Sequence, residues 1–214
     1  DTGGFARKEV LVLVALVVLA VSRHGAFIDE VILGVTALLL FVLAVFSWEA
    51  SAFMTPAMLF LLLRPTDSTR SRWLGRVLAA GTVATALAGL ALSALHHGTS
   101  STADRICTAV REHGLDGVQL CAGAIRWIGV DSEQALREVR ESFPLFLGFL
   151  PLAALAVVPI VLSPWFQKHW RWALAAAIAM APLFIVATDY GRWTFMLVME
   201  LTICIMASGR DAAV

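Results

Sequence analysis

The sequence predicts an all-α fold: a polytopic transmembrane bundle of about six to seven helices with a small helical, disulfide-containing outer loop. Three observations carry that prediction. Of the 214 residues, 59% are hydrophobic and only 15% charged, where a soluble domain carries about 25% charged residues, and mean hydropathy is +0.82. The apolar residues form continuous blocks rather than the ten-residue alternation of barrel strands. Hydrocarbon admits only helices or closed barrels, because it cannot satisfy loose backbone amides, so the blocks are helices. Arginines also gather in particular connections, as the orientation rule for membrane helices requires. Net charge is zero, with no basic tract or aromatic-basic interleaving, so nothing points to a nucleic-acid partner.

The chain opens at Asp1 rather than Met, as it would after loss of a leading signal, tag or segment. Val10 to Val21 is an apolar run between Arg7-Lys8-Glu9 and Arg23-His24, short against the roughly 20 residues of a straight crossing. Val31 to Phe46 is a second helix. After the break at Ser47-Trp48-Glu49-Ala50-Ser51, a further apolar run extends from Ala52 to Leu63. Ile28 to Leu63 is about twice one crossing, so the chain either turns near Glu49 or dips and returns. Pro56 is expected to weaken a continuous helix there.

The connection from Arg64 to Arg76 holds four Arg against the single Asp67, which assigns it to the cytoplasm. Leu74 to Leu95 then runs outward. The long connection from His96 to Phe143 holds seven acids against five bases and carries Cys107 and Cys121. On an oxidising outer face these pair and close a loop worth about 3 kcal/mol in the entropy model; the alternative is two free, buried thiols. Asp131-Ser132-Glu133-Gln134 has the form of a capping box ahead of a helix. Pro144 to Ser163 returns inward, bent at Pro151 and Pro159. Lys168 and Arg171 mark the next inner connection, with Trp165, Trp170 and Trp172 as an interfacial belt. Trp172 to Thr188 leads out and Trp193 to Ala207 back, leaving the C-terminus cytoplasmic. The chain thus divides into N-terminal membrane helices (1–95), an extracytoplasmic helical loop (96–143) and C-terminal membrane helices (144–214).

Potential chemistry concentrates in Thr188 to Glu200. Counting crossings brings Glu49, Asp189, Arg192 and the cysteine loop to one side of the membrane. On a helix Asp189 and Arg192 face one another, either as an interfacial ion pair or as a guanidinium fork held for a phosphate or carboxylate. Glu49 beside Trp48 is the candidate general base, against the plainer reading of a solvated helix end. Glu200 lies eleven residues beyond Asp189, about three helical turns, near mid-bilayer. It is read as a structural or relay group. The histidines stand in loops or at helix ends, and adjacent His96-His97 without a spaced partner make no ligand set, so no metal is expected. Nothing specifies a cofactor, and no phosphate loop, nucleophile elbow or HExxH is present.

Trp48-Glu49 followed by Pro56, the segment Cys121-Ala122-Gly123-Ala124-Ile125, and Asp189-Tyr190-Gly191-Arg192-Trp193 together resemble a group of bacterial polytopic membrane proteins from surface-polysaccharide loci. Those show His-Glu and Asp-aromatic-Gly-Arg-Trp at the corresponding places, and Trp48 stands where they have His. The resemblance implies an inner-membrane enzyme similar to Wzy-type polymerases, joining polyprenyl-diphosphate-linked saccharides at the outer face. Arg192 would hold the donor diphosphate with Tyr190 and Trp48 lining the site. Glu49 would deprotonate the acceptor, and Asp189 would orient Arg192. Two other classes stay open: a non-catalytic subunit docked on other membrane proteins, and a small transporter. Membrane lipids are partners in every case.

Overall fold

The computed structural model describes residues 8–22, 27–65, 68–96, 98–113, 121, 125, 128–186 and 189–211. Arg7, Arg23, His24, Asp67, His97, Ala122, Gly123, Ala124 and Thr188, all weighed above, lie outside them, as does the side chain of Arg210. The described residues are mostly helical, with no strand among them: α1 (Glu9–Ser22), α2 (Phe27–Ser47), a 3-10 segment (Glu49–Met54), α3 (Thr55–Leu62), α4 (Thr69–Leu95), α5 (Ser100–Glu112), α6 (Ser132–Val161), α7 (Pro164–Val186) and α8 (Tyr190–Asp211). α2, α4 and α8 are each long and apolar enough to cross a membrane, and the bent α6 could supply a fourth crossing. Large apolar side chains such as Leu39, Leu87, Leu155 and Ile178 are 59–68% exposed. In water such a surface would drive aggregation; in lipid it is solvated.

The break near Glu49 is a full reversal. Trp48 takes an extended conformation (φ −163°, ψ 105°), which ends α2, and the chain returns as two turns of 3-10 helix running into α3. Pro56 does not weaken this helix, because it falls in the first turn of α3, where the missing N–H has no intrahelical acceptor to lose. At 14 residues, Glu49–Leu62 is short for a lone crossing. Protein covers it: Ala57, Met58, Phe60, Leu61 and Leu62 are all buried, and α1, α4, α7 and α8 pack around it. α1, of the same length, buries Val12, Ala15, Leu16 and Leu19 on one face, chiefly against α2.

Small residues set the closest helix approaches. The buried face of α4 reads Ser71, Gly75, Leu78, Ala79, Thr82, Ala86 and Gly89, a three-and-four spacing of mostly small side chains. Leu78 Cδ1 would lie 2.7 Å from a Cβ at Gly34 of α2, and Val45 of α2 occupies the space a Cβ at Gly89 would need. Buried hydroxyls close on their own helix: Thr82 donates to the Leu78 carbonyl and Ser22 to that of Leu19, each at 2.9 Å.

The N-cap half of the predicted capping box is in place: Asp131 Oδ1 accepts from the Gln134 amide at 2.7 Å. The helix it opens does not stop before Pro144 but continues into the returning apolar segment, bent by 73° between Leu136–Pro144 and Phe146–Val161. Proline at 144 removes one ladder hydrogen bond and crowds the carbonyl four residues back. The main bend is therefore at Pro144 rather than at Pro151 or Pro159. Ser163 caps α7, its Oγ accepting from the Phe166 amide at 3.2 Å, with Pro164 at the first helical position. Cys107 and Cys121 form a disulfide, and the ends of the loop it braces meet where Gly129, at φ +79°, packs on the backbone of Thr99 and Ser100.

Replacing Gly89 with Leu should lower stability by about 1–3 kcal/mol through overpacking against Val45. Gly148→Leu, where nothing lies within 4 Å of the place a Cβ would take, should leave it within about 0.5 kcal/mol of the parent. Thermal unfolding in detergent, followed by tryptophan fluorescence, reads the difference.

Candidate functional site at one end of the bundle

The first turn of α8 holds the site together. Asp189 caps the helix, its Oδ1 accepting from the Arg192 amide at 3.3 Å, while its Oδ2 lies 3.1 Å from Arg192 Nε. The predicted facing of Asp189 and Arg192 is therefore present. A second acid completes the arrangement: Glu9 Oε1, from the start of α1, approaches the same Nε at 2.9 Å. Both acids sit at helix N-termini, where the macrodipole favours negative charge and disfavours Arg192 alone. The guanidinium is about half exposed (46%), whereas Glu9 is nearly buried (9%).

Beside the ion cluster, Trp48 stacks on Trp193 with ring centroids 5.6 Å apart and planes 19° from parallel. The contact joins the reversal after α2 to α8 and so brings the two sequence-distant motifs to one end of the bundle. Glu49 follows Trp48 with its side chain exposed. Among the described residues it forms no ion pair with Arg192; what the structure brings together is the tryptophans that flank the two groups. Tyr190 is buried at 7% exposure. Its ring packs 4.5 Å from that of Phe146 on α6 and 6.5 Å from that of Phe184 on α7. It is thus part of the packing of α6, α7 and α8, not a wall open to a ligand.

Glu200 lies two turns further along α8, about 12 Å from the level of Arg192, and is fully buried. Neither of its oxygens, nor Ser51 Oγ, Tyr190 Oη or Trp193 Nε1, has a hydrogen-bond partner among the described residues. Tyr190, Trp193, Glu200, Cys204 and Ser208 recur at multiples of three and four, so the inward face of α8 carries polar groups along its length. At the far end Trp165 Nε1 donates to Ser208 Oγ at 3.1 Å. The expected tryptophan belt is divided: Trp165 turns inward and is buried, Trp172 is half-buried, and Trp170 faces out with Arg171 over its ring.

Among the described residues no group of three or more His, Cys, Asp or Glu is placed to hold a metal ion. Glu9 is the residue that sequence reasoning missed. Beside Arg7 and Lys8 it reads as a flank, although an acid at the edge of an apolar run is the same signal that singled out Asp189. The chain matches no protein-family model, no curated protein and no solved structure.

Removing one partner of a buried ion pair costs about 3–5 kcal/mol, and an exposed pair contributes less than about 1. With one partner buried and the other half exposed, Arg192→Ala should destabilise the protein by about 2 kcal/mol. In a double-mutant cycle with Glu9→Ala, a coupling of about 1 kcal/mol or more is expected from unfolding in detergent, whereas additive effects would mean that the contact carries no energy.

Proposed function

We propose that this chain is an integral membrane protein of the bacterial inner membrane that acts on polyprenyl-diphosphate-linked saccharides at the outer face, in the manner of Wzy-type polymerases. α1, α2, the 3-10 segment with α3, α4, the second limb of α6, α7 and α8 would then make seven passes. Arg64, Arg70, Arg72, Arg76, Lys168 and Arg171 mark the cytoplasmic end, and the disulfide-bearing segment the outer one. The observation that supports the reading is the Trp48–Trp193 stack, which sets Glu49 and Arg192 at one rim.

In this mechanism Glu49 takes the proton from an acceptor hydroxyl as its oxygen bonds to the anomeric carbon of the donor sugar. The bond from that carbon to the diphosphate breaks, and the departing negative charge falls to Arg192. Glu9 and Asp189 both make their closest approach at Nε. A guanidinium has five N–H donors, so two carboxylates do not exhaust it. Asp189 and Glu9 position the fork, and Trp48 and Tyr190 hold the surrounding helices.

One observation favours a second reading, a non-catalytic subunit of a larger membrane assembly. Two acids against one Arg give the cluster a net negative charge, which disfavours an anionic ligand. In that case a partner copurifies in fixed stoichiometry from mild detergent, and the cluster serves only to join α1 to α8.

Under the enzymatic reading, Glu49→Gln should lower polymer formation by about 10²-fold or more, and Arg192→Lys by about 10²-fold, since an ammonium cannot reproduce the fork. Full-length polymer made at the parental rate by either membrane-inserted variant would eliminate the enzyme.

A further inference from the structure

At the end of the bundle opposite the ion cluster lies a cavity of about 580 Å³, open to the outside and lined by Phe60, Arg64, Lys168, His169, Trp172 and Ser208 among others. Its volume falls within the range of small-molecule sites, about 300–1,000 Å³. The cavity belongs to the packing rather than to a loose surface. The ring of Phe60 meets those of Trp165, His169 and Trp172 edge-on, with centroids 5.4, 5.3 and 5.8 Å away. The helix of α7 is interrupted at His169 (φ −121°, ψ 20°), and both Lys168 and His169 at this kink line the cavity.

Among the described residues the charge is one-sided: Arg64 and Lys168 line the cavity together with His169, and no acid among them does. The Arg64 residue is buried at 7% exposure, so its charge lies within the wall, whereas Lys168 is exposed at the entrance. His169 stands at the rim, ahead of the apolar run that begins at Trp172. Burial, and then the charge of Lys168, lower its pKa, which favours the neutral imidazole. A lining that combines apolar rings with cations suits an amphiphilic anion, with phosphate oxygens toward Arg64 and Lys168 and its glycerol or acyl portion along Phe60 and Trp172.

We propose that this cavity is a binding site for the phosphate headgroup of an anionic phospholipid. The inference shares with the reading above only the placement of the bundle in a bilayer. It concerns the other rim and stands whether or not the chain makes polymer.

The test uses the full chain in detergent, with short-chain phosphatidylglycerol, phosphatidylcholine and inorganic phosphate as separate titrants and binding read by tryptophan fluorescence and thermal shift. Phosphatidylglycerol should bind at least about tenfold more tightly than phosphatidylcholine. Lys168→Glu should weaken phosphatidylglycerol about tenfold. Arg72→Glu, an exposed exchange of the same charge outside the cavity lining, should leave it unchanged. Inorganic phosphate competing as well as the lipid would support the phosphate site and assign its ligand to the aqueous phase. Equal affinity for the two lipids, or equal losses in Lys168→Glu and Arg72→Glu, would overturn the proposal, the latter by reducing the effect to general surface charge. Lys168 is exposed, so its variant keeps the core intact, and retention of the parental melting temperature without lipid checks this.

Discussion

A single guanidinium shared by two carboxylates joins the first helix to the last. Glu9 opens α1 and Asp189 caps α8, and each would be an ordinary helix-end acid were Arg192 not between them. The arrangement satisfies three needs together: a nearly buried carboxylate gains a counter-charge, a cation in a first turn is compensated, and two segments about 180 residues apart are fixed in register. The Trp48–Trp193 stack lies alongside and extends the junction to the reversal after α2.

Between the two ends, the packing follows from what lipid withholds. A hydrocarbon solvent gives little reason for apolar side chains to leave it, so helix association must come from close contact and from polar groups that have no better partner. The small-residue face of α4 supplies the contact, bringing Gly34 and Gly89 against side chains of the facing helices. The short helix of α3 shows the complement of this rule. Too brief to span alone, it occupies the centre, where α1, α4, α7 and α8 cover it.

The two rims differ chemically. One carries the Glu9–Arg192–Asp189 cluster with a negative balance and an exposed Glu49. The other has an aromatic cage around Phe60 and a cavity whose charged lining is basic. α8 connects them through an inward face that includes the fully buried Glu200. Neither rim is a copy of the other: acids outnumber the cation at the first, and cations line the cavity at the second.

The residues by themselves determined the helical class, the capping of α6 by Asp131 and the Asp189–Arg192 facing, because each depends on composition or on separations of three positions; they offered the pairing of Cys107 with Cys121 beside two free thiols, and the structure decided for the disulfide. They brought the segments bearing Glu49 and Arg192 to one end only by counting crossings, and could not supply the Trp48–Trp193 contact that holds them there. The tertiary structure alone decided that Glu9 is the second partner of Arg192, that Tyr190 and Trp165 turn inward, and that Arg64 and Lys168 share a cavity. Those outcomes depend on which face each helix turns to its neighbours. In a chain whose helices are apolar on nearly every side, periodicity does not specify that face, and close packing does.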